Sequence, residues 1–401
     1  MTEDDGSTCK VVAEAGQADM PDDPFRHFEN MIDNCLAYAS AAKKTGRPIV
    51  GIMCEYTPRE LILAAGAVPV CLCGGSTETI PAAEEDLPAN LCPLIKSTYG
   101  YHRLKENPFL EMADLIVAET TCDGKKKMYE LMAESRPMYV LELPQKPDDP
   151  DAMRHWKREL AKFKGHLERR FGVRITPRRL LDAIERMNQE RAVRRRLAAL
   201  MKRSPPPMTG RQLLSLKSSI SGIPGDLDEY GRAIRLLSER GPDGDLASRL
   251  RVLLTGVPVV HGAERVVDLI EDHGGVIVCM ENCTGVKPIL EDVDTSAANA
   301  LDAVARKYFH LPCSVMTTND RRLEQLRDLV KEYRPQCVIE LIWQACLTYD
   351  VETYRVRRFV EEELKLPYLR IMTDYSPSDS ARIAVRVEAL FETVRGRGRT
   401  P

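Results

Sequence analysis

Six of the twelve cysteines in this 401-residue chain recur at intervals that suit shared chemistry. Cys54 closes the apolar run "RPIVGIMC", Cys92 lies in "LPANLCPLIKSTYG" and Cys122 closes "ADLIVAETTC", with gaps of 38 and 30 residues. Cys283 closes "GGVIVCMENC", Cys313 lies in "LPCSVMTT" and Cys346 follows "CVIEL", with gaps of 30 and 33 residues. A strand with its crossover takes about 30 residues, so successive thiols stand one strand–helix unit apart. Reactive groups in parallel α/β sheets gather at the carboxyl ends of the strands. Three thiols from each of two halves are thus expected to converge on a shared cleft.

The other cysteines follow a different pattern. Cys71 and Cys73 sit in or just beyond "AVPVCLCGG", Cys279 inside "VIVCM", Cys337 at the start of "CVIEL" and Cys35 on the apolar face of a helix. Cysteine often fills a core as a small hydrophobe, and these five are expected there. Cys9, in an acidic tail, is expected to be uncoordinated. A single zinc takes four compactly held ligands, which six thiols in two sets of three do not match. A thiol nucleophile needs one cysteine and a histidine base; His310 could pair with Cys313, leaving five loop thiols without a role. Iron–sulfur clusters use several thiolates and suit the pattern best.

The elements that must position these thiols alternate strand and helix. "RPIVGIMC", "AVPVCLCGG", "ADLIVAETTC" and "RPMYVLELPQ" read as strands. "TPRELILAAG" reads as a helix with Thr57 as N-cap and Gly66 as terminator. Continuous apolar strands of this kind indicate a parallel sheet covered on both faces. Residues 1–24 read as a tail, 25–147 as a leading helix (Phe25 to about Lys44) and a first α/β domain, and 148–255 as an arginine-rich helical domain. Residues 256–397 read as a second α/β domain, with strands at "VPVVHG", "GGVIVCMENC", "CVIELIWQAC" and "YLRIMTDY". The expected architecture is two Rossmann-like parallel-sheet domains around an intervening helical domain, with a ligand cleft between the sheets.

The bulk properties exclude several classes. A net charge of −3 gives no basic footprint for nucleic acid. No apolar run approaches the roughly 18 residues of a membrane helix, and the polar, acidic N-terminus lacks the order of a signal peptide. A cytoplasmic location is expected, and twelve thiols in a reducing compartment do not form a disulfide framework. There is no G-x-x-x-x-G-K-[ST] loop for a nucleotide; the lysines of "CDGKKK" are placed instead to stabilise a thiolate-rich anion.

The wording of the loops then narrows the field. "GIMCEYTPRELILAAGAVPVCLCGG", "LPANLCPLIKSTYGY", "AETTCDGKKKMYELM", "MENCTGVKP", "YFHLPCSVMT", "CVIELIWQACLTYDVE" and "TDYSPSDSARIAVRVEAL" resemble the superfamily of 2-hydroxyacyl-CoA dehydratases and benzoyl-CoA reductases. Within it the chain is most similar to the double-cubane-cluster anaerobic reductases, from about residue 25 to residue 390. The resemblance implies two Rossmann-like domains with added helices and a homodimer. It also implies a double-cubane [8Fe–9S] cluster, two [4Fe–4S] cubanes joined by a sulfide. By motif, one cubane falls to Cys54, Cys92 and Cys122 and the other to Cys283, Cys313 and Cys346. An ATP-hydrolysing iron–sulfur activator is the implied electron donor, and a small, hard-to-reduce molecule the implied substrate. A dehydratase subunit with one [4Fe–4S] cluster and a non-enzymatic electron carrier are the alternatives.

Polar residues at or near the strand ends are candidates to serve such a site: Glu55, Tyr56, Asp123, Glu281, Asn282, Gln344 and His261. Of these, His261, Glu55, Glu281 and Gln344 are the expected catalytic groups, His261 because imidazole titrates near neutrality.

Overall fold

The computed structural model describes residues 23–397; Cys9 and nearly all of the expected tail lie outside the described residues. Two four-stranded sheets, each wholly parallel, organise the chain. The first contains β1 (Ile49–Ile52), β2 (Val68–Cys71), β3 (Leu115–Glu119) and β4 (Met138–Leu141), in the order β2-β1-β3-β4. The second contains β5 (Leu250–Gly256), β6 (Gly275–Glu281), β7 (Cys337–Trp343) and β8 (Tyr368–Thr373), in the order β6-β5-β7-β8. Strand for strand, the two orders are the same. The expected α/β architecture with two parallel sheets is therefore present.

The period of two along each strand divides the apolar residues between faces. Ile49, Ile116 and Ala118 of the first sheet join Val252, Leu254, Ile339 and Leu341 of the second in one continuous core, so that an inner face of each sheet is shared. Val50, Ile52, Leu115 and Val117 point the other way, onto Trp156, Leu160 and Phe163 of the helix Pro150–Phe171. Leu253, Val276, Val278 and Val338 of the second sheet meet Leu197, Tyr230 and Leu326 on its outer face. The helix Pro177–Leu200 serves both outer cores, with Leu180 and Ile184 on the first and Leu197 and Ala198 on the second.

One crossing matters for the site. The helix Ala300–Phe309 follows β6 in the chain, yet it packs Tyr308 and Phe309 against the first sheet. Trp156 donates its indole N–H to the Ala305 carbonyl at 3.2 Å, and the Tyr308 hydroxyl lies 2.8 Å from buried Glu60. Glu60 in turn pairs with buried Arg191 of the Pro177–Leu200 helix.

Local readings differ from expectation in four places. The segment "VPVVHG" is not a strand; β5 precedes it at Leu250–Gly256, inside the stretch read as helical. Gly256, at φ 111°, ends the strand, and Pro258 has no N–H to extend it. Thr57 does not cap its helix, which runs Arg59–Ala64 behind Pro58; its hydroxyl is committed to Glu119 instead. The leading helix is broken at Asn30 into Arg26–Glu29 and Met31–Lys44. Cys71 is exposed and Cys73 half-buried rather than in the core, whereas Cys35, Cys279 and Cys337 are buried as expected. Among the described residues, no helix is long and apolar enough to cross a membrane.

Candidate functional site

Five of the six loop cysteines leave a strand or open a helix. Cys54 lies two residues beyond β1, Cys122 three beyond β3 and Cys283 two beyond β6. Cys92, Cys122 and Cys346 immediately precede the helices Pro93–Leu104, Asp123–Ala133 and Leu347–Arg358. Their sulfurs therefore face the unsatisfied N–H groups of a first turn: backbone N–H groups of Leu94 and Ile95 act on Cys92, that of Lys125 on Cys122 and that of Tyr349 on Cys346. Cys313 arrives from the second half on the tether that follows Ala300–Phe309. That tether is fixed by the Tyr56 hydroxyl donating to the Leu311 carbonyl at 2.9 Å.

The thiols converge, and they do so across the halves. Cys92 and Cys346 act on each other across the halves, an interaction that holds Cys92 below the usual thiol range and pushes Cys346 well above it. Cys122 is within electrostatic reach of both, through Cys92 on one side and Cys346 on the other. Cys54, Cys283 and Cys313 form a second group, each acting on another of the three, and the same three act together on the buried Tyr56 ring. Cys313 also reaches Cys122, linking the groups. No three His, Cys, Asp or Glu side chains among the described residues are gathered tightly enough for a single metal ion.

Positive charge is built in beside the sulfurs. Lys125 donates to the Met53 carbonyl at 2.8 Å and pairs with no carboxylate among the described residues; it lies within reach of Cys54, Cys73 and Cys122. Lys287, buried in the second half, acts on Cys283 and Cys313. Burial pushes the Cys54 thiol up to about 12, with Lys125 opposing it, and pushes Cys283 well above its usual range, with Lys287 opposing it. A cold, apolar site that resists thiolate formation on its own, yet holds a lysine against each thiol group, fits an occupant that brings its own positive charge as metal and leaves a net anion.

Below the loops lie two buried polar networks. In the second half Lys287 stands 3.0 Å from Glu281 and 3.1 Å from the Tyr349 hydroxyl. Arg322, with no exposed surface, reaches Glu281 at 3.3 Å, Glu340 at 3.1 Å, Glu352 at 2.5 Å and Thr255 at 2.9 Å, and lies over the Tyr349 ring. In the first half Glu119, equally buried, accepts from Thr57 and has no arginine or lysine in direct contact. Burial pushes its carboxyl up to about 7.

The expected polar candidates fall in different surroundings. Glu55 pairs with Arg59 at 2.9 Å and is in reach of Cys283, and Tyr56 is buried against the second thiol group. Glu281 belongs to the Arg322 network. Buried Asn282 shapes the Cys283 turn, its side-chain oxygen accepting from the Thr284 and Gly285 N–H groups at 3.1 and 2.8 Å. Gln344 is exposed and lines a 190 Å³ cavity with Leu91, Pro93 and Asp374, near Cys92. Asp123 is exposed and pairs with Lys126. His261 is 63% exposed and faces Glu264 at 3.7 Å, and no contact joins it to the thiols. Sequence reasoning passed over Lys287, Arg322 and Tyr349. A lysine in the otherwise apolar "GVKPIL", four residues after Cys283, was the available signal.

Comparison with known proteins agrees with this architecture. The model of the family described as 2-hydroxyglutaryl-CoA dehydratase, D-component, matches residues 54–394. The putative dehydratase subunit YjiM of Escherichia coli K12 is 41% identical over 356 residues, covering 87% of this chain and 92% of the relative. The (R)-phenyllactyl-CoA dehydratase beta subunit of Clostridium sporogenes is 23% identical, covering 92% and 98%. The beta subunit of (R)-2-hydroxyglutaryl-CoA dehydratase from Acidaminococcus fermentans is 22% identical, covering 88% and 94%. With the match running from the first of the six loop thiols to the last helix, the chain belongs to the 2-hydroxyglutaryl-CoA dehydratase D-component family.

Proposed function

We propose that this chain is an iron–sulfur reductase whose six loop thiols carry a double-cubane [8Fe–9S] cluster. Electrons come one at a time, at low potential, from an ATP-hydrolysing iron–sulfur activator. The substrate is a small, hard-to-reduce molecule, and the working form is a homodimer. The observation that carries the reading is the convergence of all six thiols, from both halves, into two linked groups of three. By motif one cubane falls to Cys54, Cys92 and Cys122 and the other to Cys283, Cys313 and Cys346; the reach of Cys313 to Cys54 and of Cys346 to Cys92 supports two cubanes close enough to be joined.

A cluster held there supplies one-electron steps at low potential. The protein's part follows from its own residues. Tyr56 and Tyr349 wall the site with buried rings. Lys125 and Lys287 set positive charge against the sulfurs, and first-turn N–H groups donate to Cys92, Cys122 and Cys346, both of which favour the more reduced, more negative state.

The relatives' names favour a second reading, a dehydratase subunit with a single [4Fe–4S] cluster. Anaerobic purification with iron and sulfide counting separates the two. About eight irons per chain is expected, and about four would replace the first reading with the second. Cys283→Ala should lower the iron content while Cys279→Ala, in the buried strand, should not. Equal losses would remove Cys283 from the site.

A further inference from the structure

Two cysteines outside the six do not behave as core. Cys71 is the last residue of β2 and is exposed; Cys73 is half-buried two positions on. Alternation along an extended chain puts both side chains on one face, where the two thiols act on each other, while the Cys73 thiol donates to the Met53 carbonyl at 3.8 Å. Extended backbone separates their Cα atoms by roughly 6.6 Å, at the upper end of what a disulfide spans. Such a bond forms under strain and is easily reduced. Arg59 acts on Cys71 from one side, and Lys217 is in electrostatic reach of it. Cys35, Cys279 and Cys337, the other three non-loop cysteines described, are buried and lack these features. Low-pKa, accessible thiols next to a second cysteine are the arrangement that senses or consumes oxidant. Here the neighbouring Cys73 thiol holds the Cys71 thiol down to about 6.

We propose that Cys71 and Cys73 form a redox-active dithiol that reacts with hydroperoxides, Cys71 attacking and Cys73 resolving. The Cys71 thiolate attacks the peroxide oxygen: the S–O bond forms, the O–O bond breaks and hydroxide leaves, taking up a proton to become water. Cys71 is now a sulfenic acid. The Cys73 sulfur then attacks the Cys71 sulfur: the S–S bond forms, the S–O bond breaks, and the hydroxyl leaves as water with the proton from Cys73. Two thiols and one hydrogen peroxide have become one disulfide and two waters. Two equivalents of a small thiol such as glutathione return the pair to the reduced state. Cys73 is within reach of Cys54 and Lys125, so oxidant is consumed beside the six-thiol cleft.

The test uses the full chain, purified without oxygen and reduced, then treated with one equivalent of hydrogen peroxide, alkylated and mapped by mass spectrometry. The peptide holding both cysteines should lose two hydrogens and both alkylatable thiols before Cys35, Cys279 or Cys337 changes, and glutathione should restore it. In Cys73→Ser, Cys71 should instead accumulate as a sulfenic acid trapped by dimedone; in Cys71→Ser, neither product should form. Alkylation of Cys71 should be level above about pH 7, while that of free N-acetylcysteine keeps rising beyond about pH 8.5. Both cysteines remaining alkylatable after peroxide, or Cys71→Ser oxidising at Cys73 as fast as the wild type, would overturn the proposal. The readout is on the thiols themselves and holds whatever the iron content, so it stands or falls apart from the cluster assignment.

Discussion

Replacing Glu119 by Gln should make the protein more stable at neutral and alkaline pH, and the gain should vanish in acid. Glu119 has no exposed surface, accepts from Thr57 with one oxygen, and leaves the other without a partner. Burial is the dominant cause that raises its carboxyl from 4.5 to about 7, against smaller opposing effects of Thr57, Lys125 and Arg59. A carboxyl raised on folding costs nothing below its unfolded value, where both states are protonated. Its cost grows as pH climbs from 4.5 and is complete once the folded group has ionised above 7. The span from 4.5 to about 7, at about 1.4 kcal/mol per unit, comes to about 3 kcal/mol. Glutamine keeps the acceptor for Thr57 and carries no charge, so the variant escapes this cost.

The assay is urea unfolding of the iron-free, reduced chain, wild type and variant side by side from pH 5 to pH 8. Every other titrating group is common to both proteins and cancels in the difference. That difference should be small at pH 5 and favour the variant by about 3 kcal/mol at pH 8; about 1 kcal/mol of it should appear between pH 6 and pH 8. A gap that stays constant with pH would mean that Glu119 does not titrate in this window, and the account of the first-half network would fall.

Arg322→Met leaves Glu281, Glu340 and Glu352 without their shared cation and should destabilise the chain by about 3–5 kcal/mol in urea unfolding; a loss under 1 kcal/mol would show that the pairing contributes little. Lys125→Met removes the unpaired cation beside Cys54 and Cys122. At roughly 6 Å and an effective dielectric near 20, one charge shifts a one-electron potential by on the order of 100 mV, so a titration should find the iron-loaded variant harder to reduce, and Lys125→Arg should recover most of the shift. Gly285→Ala would put a Cβ 2.0 Å from the Met280 carbonyl in the turn that carries Cys283; bound iron per chain should drop toward the level of Cys283→Ala, and unchanged iron would show that the turn yields.

The two sheets, and the placement of thiols at strand ends, were legible because the determining signals are local. A buried parallel strand reads as a short continuous apolar run, and a thiol at its carboxyl end is marked by position alone, as for Cys54, Cys122 and Cys283. What escaped depends on contacts distant in sequence. "RVLLTG" was taken into the helical block because the arginine-rich texture before it continues to its first residue; only pairing with β6 and β7 makes it a strand. That Ala300–Phe309 docks on the first sheet through Tyr308 and Phe309, and so brings Cys313 within reach of Cys54, is a contact of the same kind, invisible in spacing. Exposure of Cys71 was hidden for a similar reason: β2 is an edge strand, and only the sheet order shows it.

The two halves share a strand order, yet they treat the charge beneath their thiols in different ways. In the second half every carboxylate of the buried network meets a fixed cation: Glu281 has Lys287 and Arg322, and Glu340 and Glu352 share Arg322. In the first half Glu119 has a hydroxyl for company, and the nearby Lys125 spends its hydrogen bond on the Met53 carbonyl. A carboxyl so placed sits close to half-protonated at neutral pH. Negative charge brought to Cys54 or Cys122 lies on the Glu119 side of the cleft and raises that carboxyl further, which draws a proton to it. Charge brought to Cys283 meets Lys287 instead. On the proposed function, an electron arriving beside Cys54 would draw a proton to Glu119, whereas one arriving beside Cys283 would meet the permanent charge of Lys287, and this difference would give the site a direction.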